Sequence, residues 1–396
     1  MLILRGHKLA LQNALNKVFH SLGQLFQVPT ASALSQAREK LDANLFIHLN
    51  DLVCRDFYHL YEADGLVQRW HNHRLLAADG TYLTLPDNQQ TRKAFSLQTN
   101  QYSEGSCVQA LGCLLYDLKN DLSLGIGLGK RQGEKKLLLE ALWPATQEGD
   151  VLVLDRAYAD YAILAKAVAE KREIIVRLPQ NRFKAAAAFW ESDQVEEEIS
   201  ISVPQSAREY VRKEKLATNL RVRLVRVILE DATIEVLATT LLDKQRYKVE
   251  EFKEVYFWRW REEVFFDRIK NIFEVERFST TSVEGIKQDI YGVIFLASLE
   301  SVLSKPEAKR LKEESEQKGN QSEAQVNRAI SYVALVDRVV ELLMGEREIE
   351  EVVKELHHLF GTNPTRARPG RRVERKKGLR YAYRLRFHKY MKKLTL

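Results

Sequence analysis

Three acids in this chain occupy positions from which a carboxylate can do chemistry. Asp79 falls within the apolar run Leu75 to Leu85, and Asp155 directly follows Val151-Leu-Val-Leu154. An acid in or just past a sheet strand lies where open α/β sheets bind ligands, although turn and cap duties are the commoner use of Asp there. Glu263 belongs to the segment Tyr256-Phe-Trp-Arg-Trp-Arg-Glu-Glu-Val-Phe-Phe-Asp-Arg-Ile-Lys270. Tyr256, Arg259, Glu263 and Lys270 follow one another at intervals of three, four and seven, so they share one face at 3.6 residues per turn. Trp258, Phe265, Ile269 and Ile272 line the roughly opposite, core-facing stripe. A carboxylate flanked by a guanidinium, an ammonium and a phenol suits a metal-bound phosphate with a DNA backbone running past it. A solvated face carrying an Arg259–Glu263 ion pair is the plainer alternative.

The elements that must position these residues are legible in the hydrophobic pattern. Leu9, Leu11, Leu15, Val18, Phe19 and Leu22 recur at helical spacing, and Pro29 to Leu41 reads as a second helix capped by Thr30 or Ser32. Two short helices joined by a turn are either a DNA-reading element or part of an ordinary bundle. From Arg74 the period changes. Leu75 to Leu85 is a strand, Val108 to Tyr116 and Leu122 to Leu128 form a hairpin, and helix Glu134 to Leu142 follows. Strand Val151 to Leu154, helix Tyr161 to Arg172 and strand Ile174 to Leu178 complete a mixed sheet covered by helices. Glu196 to Val203, Leu220 to Leu229 and Thr233 to Leu241 alternate apolar with charged residues, which predicts an inserted antiparallel sheet with one wet, partly basic face. One long helix is expected from Tyr247 to about Phe273, a polar linker or exposed helix over Lys305 to Gln325, and two further helices ending near Phe360.

Composition narrows the class. With 396 residues, 45% hydrophobic and 29% charged, the chain is long enough for two or three domains and apolar enough to bury a large core. Its best apolar stretch, Tyr291 to Leu299, is cut short by Glu300, so no membrane span is expected, and the first residues do not resemble a secretory leader. Cys54, Cys107 and Cys113 match no zinc or disulfide pattern, which points to a reducing, cytoplasmic setting. The net charge of +7 is concentrated: residues 361–396 hold thirteen Lys or Arg and one acid, leaving residues 1–360 at −5. That tail, interleaved with Tyr381, Tyr383, Phe387 and Tyr390, is composed either to neutralise phosphates and stack on bases or to stay solvated. His71 and His73, two apart and without further ligands nearby, read as structural.

The order Tyr256, Arg259, Glu263, Lys270 resembles the YREK signature of the insertion-sequence-4 family of bacterial DDE transposases. Ala78-Asp79-Gly-Thr81 resembles the family's first acidic motif and Leu154-Asp155-Arg156-Ala-Tyr158 its second. The aspartates are 76 residues apart and Glu263 follows after 108 more, room for the strand-rich insert this family carries. The residue before the motif glutamate is usually apolar, whereas here it is Glu262. The resemblance implies an α/β (mixed) fold: a ribonuclease-H-like mixed sheet flanked by helices, with a β-rich insertion and helical N- and C-terminal regions. It further implies that Asp79, Asp155 and Glu263 jointly hold two Mg²⁺ ions, with Mn²⁺ as a substitute. Arg259 and Lys270 would grip phosphates near the cut transposon end, and Tyr256 would bond to the same strand. Implied partners are double-stranded DNA, as terminal inverted repeats and target, and a second copy of the chain in a homodimer on DNA.

The expected organisation is a helical region over 1–73, a catalytic core from 74–180 plus 244–301, a strand-rich insertion at 181–243, a helical region at 302–360 and the basic tail at 361–396. The expected activity is Mg²⁺-dependent cleavage at element ends followed by 3′-hydroxyl strand transfer. A nuclease on the same core and a non-catalytic or domesticated DNA-binding protein are the alternatives.

Overall fold

The computed structural model describes residues 11–366 except 101–102, 131–132, 230–231, 320–321 and 346. All but the first residues of the basic tail lie outside the described residues.

Helices α1 (Leu11–Ser21), α2 (Ala31–Glu39) and α3 (Asn44–Leu60) come first. Thr30 caps α2, its hydroxyl accepting from the Ala33 amide at 3.1 Å. The sheet then begins with β1 (Leu75–Leu85), short helix α4 (Gln89–Ala94), β2 (Ser96–Asn100), β3 (Ser103–Asp117) and β4 (Leu122–Gly129). Helix α5 (Glu134–Leu137) runs into a π turn at Leu138–Leu142, and β5 (Val151–Leu154), α6 (Tyr161–Ala169) and β6 (Glu173–Arg177) follow. Next come α7 (Ala187–Glu191), β7 (Glu196–Ser202), α8 (Arg208–Lys213), β8 (Asn219–Ile228) and β9 (Ile234–Thr239). Six-residue-scale pieces such as α4 and α8 carry too little periodicity to be read from sequence. The rest is helical: α9 (Val249–Trp258), α10 (Trp260–Asn271), α11 (Val283–Leu303), α12 (Lys305–Gln317), α13 (Arg328–Met344) and α14 (Ile349–Gly361). Among the described residues, no helix is long and apolar enough to cross a membrane.

Nine of the described strands form one mixed sheet, β2-β3-β1-β5-β6-β9-β8-β7, with β4 also paired to β3. β1 is antiparallel to β3 and parallel to β5, and β5 is parallel to β6. The run β4-β3-β1-β5-β6, antiparallel and then parallel, is the ribonuclease-H-like arrangement. Apolar residues on the two faces of these strands fill two cores. Leu75, Ala77, Val151 and Val153 join one with residues of α9 to α11, and Leu76, Ala78, Leu152 and Leu154 join the other with residues of α6 and the π turn.

Two expectations change. The strand-rich segment does not make a sheet of its own: β9 pairs with β6 from Ile175↔Thr239, and β8 and β7 extend the same sheet. The reason is that β8 is apolar on both faces, with Val222 and Leu224 in one core and Val225 and Val227 in the other. Nor is its basic face simply wet. Arg223 is fully buried, donating to Glu196 and to the Tyr247 carbonyl, and Arg226 donates to the carbonyls of Phe189, Ser192 and Gln194. The polar segment after Lys305 is helical, and it buries Leu311 and Ser315.

Helix α11 is the central pillar, buried along most of its length. Glu300 is fully buried there and receives Arg328 of α13 at 2.8 and 2.9 Å. Arg328 also reaches Asp121 in the β3–β4 turn, which takes two further bonds from Arg268 at 3.0 and 3.1 Å. The network locks the hairpin to three helices. Burial opposes the Asp121 charge, but the Arg268 and Arg328 charges outweigh it and hold the carboxyl far below its ordinary value of 3.8. Its contribution is therefore complete above that ordinary value and is lost as the pH falls toward the folded one. Arg328→Met, which strands the Glu300 carboxylate, is expected to lower unfolding free energy by about 3–5 kcal/mol. The measurement is a fall in the urea midpoint at neutral pH with unchanged slope.

Candidate active site

Register sets the geometry. Parallel pairing of β1 with β5 runs from Leu75↔Val151 to Ala78↔Leu154, so Asp79 and Asp155 are the next residues on adjacent strands. Such strands lie about 4.8 Å apart, and alternation sends both side chains toward the face covered by α9 and α10. β5 ends at this point whereas β1 continues against β3, which places Asp79 inside a strand and Asp155 at a strand end. Asp155 stands at the N-cap of a 3-10 turn, Arg156–Tyr158, yet its side chain makes no capping bond. Asp79 accepts only a local bond, from the Gly80 amide at 2.8 Å.

The expected single helix is two. Arg259 separates α9 from α10, and its amide bonds to the Tyr256 carbonyl while its own carbonyl accepts from the Glu262 amide, both in the tighter i to i+3 pattern. The predicted core stripe survives in α10, past the break, but ends before Ile272, which caps that helix. Tyr256 and Arg259 are each only 6% exposed, while Ile272, expected in the core, is 39% exposed. Phe265 and Ile269 are fully buried as expected. Trp258 is half-buried, with the Lys119 ammonium 3.9 Å from its ring centre, and Trp260 is 43% exposed beside Arg259. Lys270 pins α10 to β1, donating to the Thr81 hydroxyl at 2.5 Å and the Tyr82 carbonyl at 2.8 Å.

Arg259 sits between the acids. Its guanidinium is 3.4 Å from Glu263 and 4.0 Å from Asp79. Burial pushes the Asp79 carboxyl above its ordinary range; the Gly80 amide and Arg259 oppose this, and the charges of Asp155 and Glu263 add to it. Burial is also the largest influence on Arg259 and works against its charge, but Tyr256, Asp155, Glu263 and Asp79 together raise its pKa. Burial pushes the Tyr256 phenol up to about 12, with Asp155 contributing, and its hydroxyl has no hydrogen-bond partner. Asp79, Asp155, Glu263, Arg259 and Tyr256 are thus one electrostatic unit, and Lys270 is clamped to β1 beside it.

The two adjacent glutamates face different ways. Glu262 is fully buried, with only the backbone N–H of Asp79 directed toward it, and burial followed by the Asp79 charge pushes its carboxyl well above the ordinary range. Glu263 remains partly exposed and contacts Arg259. Sequence reasoning missed another acid, Glu134 at the start of α5, whose carboxyl is pushed up first by burial and then by Asp79 and Asp155. The available signal was Gly80, because glycine inside a strand marks a close approach. His71 bonds to Glu251 at 2.7 Å, and His73 bonds to the Gly149 carbonyl and the Tyr247 hydroxyl.

Among the described residues, no three His, Cys, Asp or Glu side chains are gathered tightly enough to hold an ion unaided. The chemistry of the donors nevertheless fits a hard divalent cation. All are carboxylates, they repel one another at short range, and the guanidinium between them is the cation they share.

The family profile described as "Transposase DDE domain" matches residues 70–299. A curated relative, "Transposase InsG for insertion sequence element IS4" of Escherichia coli (strain K12), is 22% identical over 282 residues, covering 68% of this chain and 60% of that protein. A solved cryo-EM structure, a piggyBac transposase synaptic complex with hairpin DNA, aligns at a TM-score of 0.41 and 11% identity over 91% of this chain and 74% of that one.

A raised carboxyl pKa makes the Asp79 charge a burden on the folded protein. Below the ordinary value of 3.8 both states are protonated and nothing is lost; stability falls as the pH rises through the folded value. Asp79→Asn keeps the acceptor for the Gly80 amide and removes the charge. It is expected to stabilise the protein by about 1 kcal/mol at pH 7 and to give no gain near pH 3, as read from thermal melts at the two pH values.

Proposed function

The chain belongs to the transposases with a DDE domain, and we propose that it is of their insertion-sequence-4 branch, cuts the ends of its own mobile element and joins the 3′-hydroxyls to target DNA. The match spans 60% of the curated relative's length, so activity, substrate and partners all belong to the proposal.

The observation that carries it is the in-register pairing of Asp79 and Asp155, closed over by Arg259 and Glu263. In this reading Asp79, Asp155 and Glu263 hold two Mg²⁺ ions, replaceable by Mn²⁺, which supply activation of the attacking hydroxyl and stabilisation of the leaving oxygen. The remaining work falls to the chain. Arg259, buried and with its Nε unbonded, turns from its carboxylates to a phosphate that enters between them, since a guanidinium forks onto phosphate as readily as onto carboxylate. The partnerless Tyr256 hydroxyl donates to the same strand. Lys270 holds the Thr81–Tyr82 backbone and, from that position, faces the next phosphate. Glu262 stays inside and takes no part in ion binding.

The substrate is double-stranded DNA, as terminal inverted repeats and as target, and two copies of the chain pair two ends. The division of labour follows the organisation read from sequence. Residues 1–73 read DNA, 74–180 with 244–301 perform the chemistry, 181–243 and 302–360 support them, and the tail at 361–396 adds phosphate contacts. The setting is the bacterial cytoplasm, at the nucleoid.

Duplexes carrying the element ends, uncut and pre-cut, test the reading in the presence of Mg²⁺. Asp155→Asn and Glu263→Gln are expected to abolish nicking and joining while retaining DNA binding in a gel-shift assay, and Glu262→Gln is expected to remain active. An active Glu263→Gln with an inactive Glu262→Gln would overturn the residue assignment. Cleavage without any joining of pre-cut ends would make the protein a nuclease.

A further inference from the structure

We propose that Glu134 is a fourth carboxylate of the cation site, reaching the two aspartates from the opposite face of the sheet through the gap left by Gly80. The proposal rests on the DDE reading above and deepens it.

The argument starts from alternation along β1. Leu76 and Ala78 point into the core that also holds Leu138 and Leu142 of the turn after α5. Gly80 is the next residue on that face. A Cβ built there would lie 2.3 Å from Glu134 Oε1 and 2.5 Å from its carboxyl carbon, so no residue with a side chain fits while Glu134 stays where it is. Backbone conformation does not explain the glycine, because Gly80 is absent from the positions with positive φ. With glycine at this position the Glu134 carboxyl lies against the backbone beside Asp79.

The second observation is electrostatic. Glu134 interacts with the charges of both Asp79 and Asp155, yet no hydrogen bond or ion pair to it occurs among the described residues. Cations were near at hand. Lys135 pairs instead with Asp160 at 2.9 Å, and Lys136 with Glu140 at 3.8 Å. An acid in the first turn of a helix is ordinarily accounted for by the helix dipole, and α5 with its π turn makes a helical run over residues 134–142, but a dipole does not require the carboxyl to lie against Gly80. Glu134 is thus a further carboxylate beside Asp79 and Asp155. The partnerless Tyr256 hydroxyl, 6% exposed and interacting with Asp155, borders the same space. A half-buried carboxylate left unpaired beside two others is relieved either by taking up a proton or by a cation that joins them, and the second is the role given to it here.

The test uses the full chain without DNA. Mn²⁺ is titrated in and the free ion is followed by electron paramagnetic resonance, a readout independent of turnover. Glu134→Gln, which preserves shape, is expected to weaken Mn²⁺ binding about tenfold and to shift the Mn²⁺ requirement for end cleavage in the same direction, with activity recovered at saturating metal. Gly80→Ala, which displaces the carboxyl, is expected to behave alike, and the double variant no worse than either. If Glu134→Gln binds Mn²⁺ as the parent does while Asp155→Asn loses it, the role given to Glu134 is wrong and the DDE reading stands. If neither substitution changes binding, the DDE reading itself fails. A Gly80→Ala protein with parental binding would refute the gap as the route.

Discussion

Two carboxylates on adjacent parallel strands, one residue beyond the last paired position, repel each other for as long as both are charged. At about 4 Å and an effective dielectric near 20 such a pair is unfavourable by about 4 kcal/mol. The register of β1 and β5 sets Asp79 and Asp155 side by side on adjacent strands, and the surrounding structure answers their mutual repulsion. Arg259 is driven into a nearly solvent-free position between Asp79 and Glu263. The α9–α10 junction holds it there, and the Lys270 clamp onto β1 keeps α10 from sliding away. One guanidinium among these acids leaves the pocket net negative, a field that concentrates cations.

The rigidity that such proximity demands comes from far outside the site. β1 is held on one edge by β5 and on the other by β3. β3 turns back through Asp121, which adopts a left-handed φ of 54° and is gripped by Arg268 and Arg328. Arg268 lies on α10, the same helix that carries Glu263, so one ion network ties the hairpin beside Asp79 to the helix opposite it. Removing either end of such a buried pair costs more than the pair ever contributes, which makes the network a device for fixing position rather than a reserve of stability.

How much of this the sequence disclosed depended on the range over which each feature is specified. The strands were readable because each is a short apolar run with a Gly, Pro or Asp at its end, and Asp79 and Asp155 were readable by their place on those runs. The long α11 was obscured by Glu300, which looks like the end of an apolar stretch until Arg328, 28 residues on, is seen to neutralise it inside the core. Arg223 misled in the same way, a charge in an alternating pattern that is in fact buried against Glu196. The helix face around Arg259 was predicted from an unbroken 3.6-residue repeat, whereas the helix breaks at Arg259, Tyr256 is buried, and Ile272 lies past the end of α10. Glu134 had no local signal of its own, since its partner in space is a glycine 54 residues earlier.

Three of the eight described residues that keep a buried side-chain atom without a bond lie at the site. Buried side-chain nitrogens and oxygens nearly always find partners, and the exceptions here are unevenly spread. Tyr256, Arg259 and Glu262 all retain buried atoms without a bond, and they fall within seven residues of one another on the helices that cover Asp79. Each has a different chemistry: a phenol able to donate, a guanidinium N–H able to donate, and a carboxyl pushed well above its ordinary range by burial. A fold selected only for stability would replace all three with apolar side chains of similar shape. Their persistence beside a pair of mutually repelling aspartates means that the resting arrangement is incomplete, and the donors are of the kind that a phosphate oxygen satisfies.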